Sequence, residues 1–316
     1  MKELIYKGST KDIYQISGEE YLFEFSDRYS IFDYGEMPDL IKSKGVSSAR
    51  LTSFLFPYLE EKTKIKTHFL KMGEKSNQII VKRFHVPRDY DSDLYYKNRP
   101  INAFLPLEVI FRLGVPQGSS LLKRGDFQVN EKFQSPLIEF STKLESIDRM
   151  LTNAEAKNLA GLNDQEMEKL IRITQHLAMT LKEKFKEFNI DLWDGKFEFA
   201  FIESDDKNCR DFMLVDSISL DELRLTLDDL MLSKEVLRNF YKQTDWYQNL
   251  IESKEKYGDS FRSKISKPNH LPIKLLSLIE SMYGETTELI ATKNENIQSK
   301  LVHTVLELKN EYINYR

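Results

Sequence analysis

The chain has a single cysteine, Cys209, so no internal disulfide can form and a reducing compartment is the natural setting. Cys209 falls in the polar stretch 203–211, which reads as a turn, and the thiol is taken as incidental rather than nucleophilic. Long apolar runs are missing. No window approaches the roughly 20 residues a membrane-spanning helix needs, and residues 1–6 (MKELIY) hold no signal-peptide core, so a cytoplasmic protein is expected. An excess of one charge is missing as well: 46 Lys and Arg against 50 Asp and Glu leave a formal net charge of -4. Nothing in that balance favours non-specific binding to nucleic acid, and a phosphate-bearing small molecule would need a local basic pocket. Internal repeats and low-complexity segments are also absent.

What is there suits an ordinary globular protein: 316 residues, 41% hydrophobic and 30% charged, enough for one large or two modest domains. Short β-rich runs at 4–6, 12–16 and 21–25 are broken at Gly8 and Gly18, as in an antiparallel meander. Leu51, Phe54, Leu55 and Tyr58 form an apolar stripe that predicts a helix over 47–61. Strands are predicted at 67–70, 78–83 and 107–111, with a polar, tyrosine-containing insertion of no clear period at 84–105. Helices are predicted at 153–160 and 164–188, and the runs 197–202 and 212–218 read as a β-hairpin turning near Lys207. The remainder is helical, broken by Pro268 and Pro272. The expected fold class is α+β in three parts: a β-rich subdomain over 1–100, an α/β subdomain over 101–226 and a helical region over 227–316.

Three stretches carry chemistry. Gly8, Ser9 and Lys11 lie at a strand–turn–strand junction, where backbone N–H groups and a lysine can meet phosphate oxygens. The spacing is not that of a Walker A loop, and a plain hairpin turn with a solvated lysine is the other reading. In the hairpin, strict alternation puts Glu198 on one face, and a symmetric turn would set Asp216 directly opposite. Like charges across a ladder repel, and an oxygen-ligated Mg²⁺ would relieve them. Alternatively, one carboxylate pairs with Lys196 or Arg224 and no metal is involved. Finally, Arg112, Ser119, Ser120, Lys123 and Arg124 surround a glycine, a donor set that matches a ribose phosphate or, more blandly, a solvated basic helix start.

The turn Tyr6-Lys7-Gly8-Ser9-Thr10-Lys11-Asp12-Ile13-Tyr14, followed by Asp27-Arg28-Tyr29-Ser30-Ile31-Phe32-Asp33, resembles the N-terminal signature of the SAICAR synthetase (phosphoribosylaminoimidazole-succinocarboxamide synthase) family. Further similarities follow in order: Lys42 to Gly45, Lys66 to Phe69, Thr142-Lys143 with Glu145 and Asp148, Asp194-Gly195-Lys196-Phe197-Glu198-Phe199, and Asp216 to Arg224. The likeness continues to Ser233–Arg238 and to Tyr283-Gly284-Glu285, and so runs from about residue 4 to 290. It implies an ATP-grasp- or kinase-like fold and an ATP-dependent ligase that joins L-aspartate to carboxyaminoimidazole ribotide through an acyl phosphate. ATP and Mg²⁺ are the implied cofactors, and the partners are small molecules, with no nucleic acid or membrane. Carried over residue by residue, Lys7, Gly8, Ser9, Lys11, Lys82, Glu198 and Asp216 would serve ATP, the last two through the metal. Lys196, Asp221 and Arg224 would act at the reacting centre. Asp27, Arg28, Ser30, Asp33, Arg112, Ser119, Ser120, Arg124 and Arg224 would hold substrate. The sequence departs from the pattern at Ala200, Ser217 and Leu220, in the spacing of Arg112 and Ser120, and in the longer link at 84–105. A divergent branch, a paralogue using another acid or amine, a small-molecule kinase and a non-catalytic scaffold are the alternatives.

Overall fold

A computed structural model of the chain describes residues 2–87, 92–145, 148–206 and 208–314. The first sheet is the expected meander: β1 (Glu3–Lys7), β2 (Lys11–Gln15), β3 (Glu20–Phe25), β4 (Phe69–Met72) and β5 (Gln78–Lys82), in the order β1-β2-β3-β5-β4. Helix α1 (Lys44–Thr63) starts three residues before the expected position. Gly45 makes that start possible, because a Cβ there would stand 2.6 Å from the Phe25 carbonyl oxygen. Ala49 of α1 packs with Phe23, Phe25, Ile79 and Val81 of the sheet, while Leu51, Leu55, Phe56 and Leu59 join the main core. One amphipathic helix thus serves two hydrophobic clusters.

The link at 84–105 contains two elements that polarity concealed, α2 (Ser92–Lys97) and β6 (Ala103–Phe104). The second sheet is built from β7 (Leu107–Gly114), β8 (Lys132–Thr142), β9 (Met150–Leu151), β10 (Asp191–Ile202), β11 (Asp211–Val215), β12 (Leu223–Leu227) and β13 (Leu230–Met231). Its central strand is β10. The first half of β10 pairs with β7 and β12, the second half with β6 and β11, so the sheet curls along that strand. Between β9 and β10 come α3 (Asn153–Leu159) and α4 (Asp164–Lys186), each opened by a reciprocal capping box, Thr152 with Glu155 and Asn163 with Glu166. Leu170, Leu177, Leu181 and Phe185 of α4 face the core. The chain ends in α5 (Glu235–Tyr241), α6 (Asp245–Tyr257), α7 (Ile273–Thr292) and α8 (Glu295–Asn314), with Pro272 at the start of α7 as its position implies.

Backbone bridges join the two halves at Thr67 with Leu214 and at His85 with Ala103. Leu214 N–H donates to the Lys66 carbonyl at 2.9 Å, and its own carbonyl accepts from His68 N–H at 3.0 Å. The turn centre expected near Lys207 lies outside the described residues, but the pairing of β10 with β11 is described, and it corrects the expected register. Glu198 stands opposite Val215, not Asp216.

A buried clamp holds the opening of α4 against the rest. Glu166 has no exposed surface; it accepts from Arg210 Nε at 3.0 Å, from Arg210 N–H at 2.8 Å and from Arg99 at 2.8 Å. Replacing Glu166 by Ala strands the buried Arg210 guanidinium, and the expected cost is about 3–5 kcal/mol. Urea unfolding should show a lower midpoint with an unchanged slope, and turnover per folded molecule should be unaltered.

Candidate active site

The turn between β1 and β2 brings Lys11 inward. Gly8 N–H donates to the Lys11 carbonyl at 2.9 Å, and a Cβ on Gly8 would come within 2.6 Å of that oxygen, so the tight turn requires glycine. The Lys11 ammonium passes over the Phe23 ring and pairs with the Asp216 carboxylate, with the Ser217 hydroxyl at 3.3 Å. Asp216 is placed for this by its backbone: its φ of 68° is left-handed and takes it out of the strand. Its carbonyl accepts from His68 Nε2 at 2.9 Å, and the His68 ring lies between Phe23 and Phe56. Burial pushes His68 down to about 4, so at neutral pH the ring is uncharged and donates. Burial acts to raise the Asp216 carboxyl, but Lys11 and then Lys143 outweigh it and hold the group well below the usual carboxylate range.

Beside this pair lies a second, built on β10. Glu198 is 5% exposed and meets Lys143 at 2.7 Å and Lys196 at 3.5 Å. Both lysines also reach Glu108 of β7, Lys143 at 2.8 Å. Lys143 is raised well above the ordinary lysine value, burial being outweighed by Glu198 and Glu108. The Lys11–Asp216 pair and the group of Lys143, Lys196, Glu198 and Glu108 are coupled by charge, since Lys143 and Lys196 also act on Asp216. Among the described residues no group of three His, Cys, Asp or Glu is placed to hold a metal. Glu198 and Asp216, which both act on Lys143, offer the carboxylate oxygens that Mg²⁺ prefers.

A separate recess gathers the arginines. Asp194 of β10 stands in register with Arg112 of β7 on one side and Arg224 of β12 on the other, at 3.7 and 2.9 Å. Arg112 also pairs with Glu139, which Arg124 shares, and donates to the Ser120 hydroxyl at 3.2 Å. Ser119 does a different job: its hydroxyl caps the short turn at 120–124 by accepting from Leu121 N–H. Arg224 reaches Glu235 as well, at 3.7 Å.

The acidic and basic residues of 26–33 act on loops. Asp27 accepts from Ser43 and Gly45 N–H at 3.2 and 3.0 Å, fixing the entry to α1. Arg28 pairs with Asp12 at 2.5 Å and donates to the Gly8 carbonyl at 3.0 Å, bracing the turn below Lys11. Ser30 forms a bridge to Glu36, and Asp33 pairs with Lys254 at 3.2 Å. Lys7 ends β1 opposite Asp12, and Lys82 ends β5 with its ammonium over Phe84. Asp221 is gripped by Lys44 at 2.5 Å and by the Tyr283 hydroxyl at 2.8 Å. Lys234, which burial and Arg238 push down to about 8, faces the same carboxylate.

Sequence reasoning left Glu108, Lys44, Lys143, Lys234, His68 and Tyr283 without roles. Glu108 had a signal, an acid inside an apolar strand run. Tyr283 stood in the run 283–285 that resembles the family, but nothing there pointed to Asp221, 62 positions away.

A lysine–carboxylate contact thus joins the two sheets, and a cluster of arginines and carboxylates is gathered on the central strand of the second. Comparison with known proteins gives the class. The SAICAR synthetase family model matches residues 4–253. An Archaeoglobus fulgidus protein assigned provisionally as a phosphoribosylaminoimidazole-succinocarboxamide synthase is 33% identical, the match covering 91% of this chain and 92% of that one. The Ehrlichia chaffeensis phosphoribosylaminoimidazole-succinocarboxamide synthase superposes with a TM-score of 0.62 at 26% identity, over 84% of this chain and all (100%) of that one. A SAICAR synthetase solved in complex with ADP gives 0.60 at 30% identity, over 84% and 99%. The chain belongs to the SAICAR synthetase family, ATP-dependent carbon–nitrogen ligases of purine biosynthesis, and the α+β fold is that of the family. No helix among the described residues is long and apolar enough to cross a membrane.

The charge row makes a pH dependence. Burial alone would raise Glu108, but Lys196 and Lys143 hold it at about 2, below its ordinary value of 4.5. A depressed carboxyl contributes stability that is present above 4.5 and is lost as pH falls towards 2. The loss should approach roughly 3 kcal/mol. Urea midpoints measured from pH 5 to pH 2 should fall steeply for the wild type and less steeply for Glu108→Gln.

Proposed function

We propose that this chain joins L-aspartate to the carboxylate of carboxyaminoimidazole ribotide by way of an acyl phosphate, and that the two clusters divide the work. The observation that carries the reading is the contact of Lys11 with Asp216, where the glycine turn of one sheet meets the carboxylate row of the other. The turn from Lys7 through Gly8 and Ser9 to Lys11 receives the phosphates of ATP, with Lys82 on the same sheet. Glu198 and Asp216 are the residues to hold Mg²⁺, whose chemistry would be to neutralise phosphate oxygens during transfer.

The lysines explain how the row stays electrically satisfied. Without ligand, Lys11 neutralises Asp216, and Lys143 and Lys196 neutralise Glu198 and Glu108. On binding, Lys11 turns from Asp216 to phosphate, and Asp216 and Glu198 are then the carboxylates that would hold the cation. Arg112, Ser120, Arg124 and Arg224 bind the ribotide phosphate in the recess around Asp194. Lys196 and Asp221 border the acceptor carboxylate.

The γ-phosphoryl moves to a carboxylate oxygen of the ribotide, and ADP leaves as the bridging P–O bond breaks. The aspartate amine then attacks the acyl carbon, a C–N bond forms, and phosphate departs with the carboxylate oxygen. A carboxylate is a poor electrophile and its mixed anhydride with phosphate a good one, so positioning and charge neutralisation supply the catalysis without a protein nucleophile.

The test is ADP release with carboxyaminoimidazole ribotide, run with and without L-aspartate. Turnover that needs both supports the reading; release without aspartate points to a kinase, and silence with both to a different acid or amine. Asp216→Asn should cut kcat by roughly a hundredfold or more with an unchanged far-ultraviolet circular dichroism spectrum. An unaltered kcat would remove Asp216 from the site.

A further inference from the structure

Tyr283 lies on α7, beyond the residues 4–253 that the family model matches, yet its hydroxyl donates to Asp221 Oδ1 at 2.8 Å. The ring is 1% exposed. The other oxygen of Asp221 takes the ammonium of Lys44, the first residue of α1 and itself 1% exposed, at 2.5 Å. Asp221 is thus held between an ammonium from one helix and a phenol from another. Lys234 also faces it, and the neighbouring Glu222 is occupied by Ser219, whose N–H and hydroxyl it accepts at 2.8 and 2.7 Å.

The placement of α7 is fixed by contacts on either side of Tyr283. Glu280 accepts the Lys42 N–H at 3.0 Å, just before α1 begins, and Glu288 pairs with Arg50 further along α1. Glu280 and Tyr283 stand three positions apart on one face of α7, whereas Glu288 lies about 140° round the helix from Tyr283, so it is the Glu280 contact that shares the face of the hydroxyl.

We infer that Tyr283 is a positioning residue of the ligase, and that α7 is part of the active site through the Lys44–Asp221–Tyr283 chain. The inference rests on the proposed place of Asp221 at the acceptor pocket. Burial and the Asp221 carboxylate push the Tyr283 hydroxyl far up, so it remains a donor at every working pH. Without that donor the carboxylate is free to swing towards Lys44 and Lys234, and its charged form loses support.

Three variants test this: Tyr283→Phe, Asp221→Asn and Glu288→Gln. Tyr283→Phe keeps the ring, so the protein should melt within a few degrees of wild type. Its kcat should fall about tenfold to hundredfold, the worth of a hydrogen bond to a charged group, with the KM for ATP unchanged. The acid limb of its kcat/KM profile should move up by about one pH unit. Glu288→Gln, on the same helix but away from Asp221, should leave kcat and the profile where they are. An inactive Asp221→Asn beside a Tyr283→Phe with wild-type kcat and an unmoved acid limb makes the tyrosine structural and overturns the inference. Wild-type turnover in Asp221→Asn is a different failure, since it removes Asp221 itself from the chemistry and the inference with it.

Discussion

The contact between Lys11 and Asp216 is the constraint around which the two sheets are arranged. It is expensive in two ways. A buried ion pair loses more hydration than its attraction readily returns, so it is a poor way to gain stability. Asp216 also has a left-handed backbone, which a non-glycine residue adopts at a cost of order 1 kcal/mol or more. The surroundings are built to tolerate both: His68 is kept neutral between two phenylalanine rings and donates to the Asp216 carbonyl, and Ser217 offers its hydroxyl to Lys11. A fold assembled for stability alone would put apolar side chains there. In the proposed function phosphate and metal enter here, and that calls for a cation and a carboxylate that can part company.

The same logic extends along β10. Glu198 and Glu108 lie on adjacent paired strands with two lysines between them, so removing any one member leaves a buried charge unmatched. Asp148, whose carboxyl is raised by burial and by Glu108, lies at the edge of this row and adds to its acidity.

Much of the fold was legible because local chemistry decides it. Gly8 and Gly18 punctuate the meander, and Asn163 with Glu166 opens α4 before an apolar stripe at helical spacing. The register of β10 with β11 was not legible. A difference of one residue reverses the face on which a carboxylate is expected, and Asp216, left-handed and past the end of β11, lies where alternation no longer applies. Partners distant in sequence were equally hidden: Asp216 is 205 positions from Lys11, and nothing in either neighbourhood announces the other. The family resemblance placed Lys11, Asp216 and Asp221 in one reaction without showing what holds them. Polarity at 84–105 hid α2, a one-and-a-half-turn helix too short to display a period.

The arginine recess shows how burial and charge combine to favour an anion. Around Asp194 stand four cations, Arg112, Arg124, Arg224 and Arg238, against three acids, Asp194, Glu139 and Glu235. One positive charge is in excess if every acid is ionised. Glu139 and Glu235 are held ionised by the arginines that grip them. Burial pushes the Asp194 carboxyl up, against the pull of Arg224 and then Arg112. In the proposed function these are the two arginines offered to the ribotide phosphate. Setting Asp194 in the first half of the central strand, flanked in register by both arginines, lets one carboxylate orient the two.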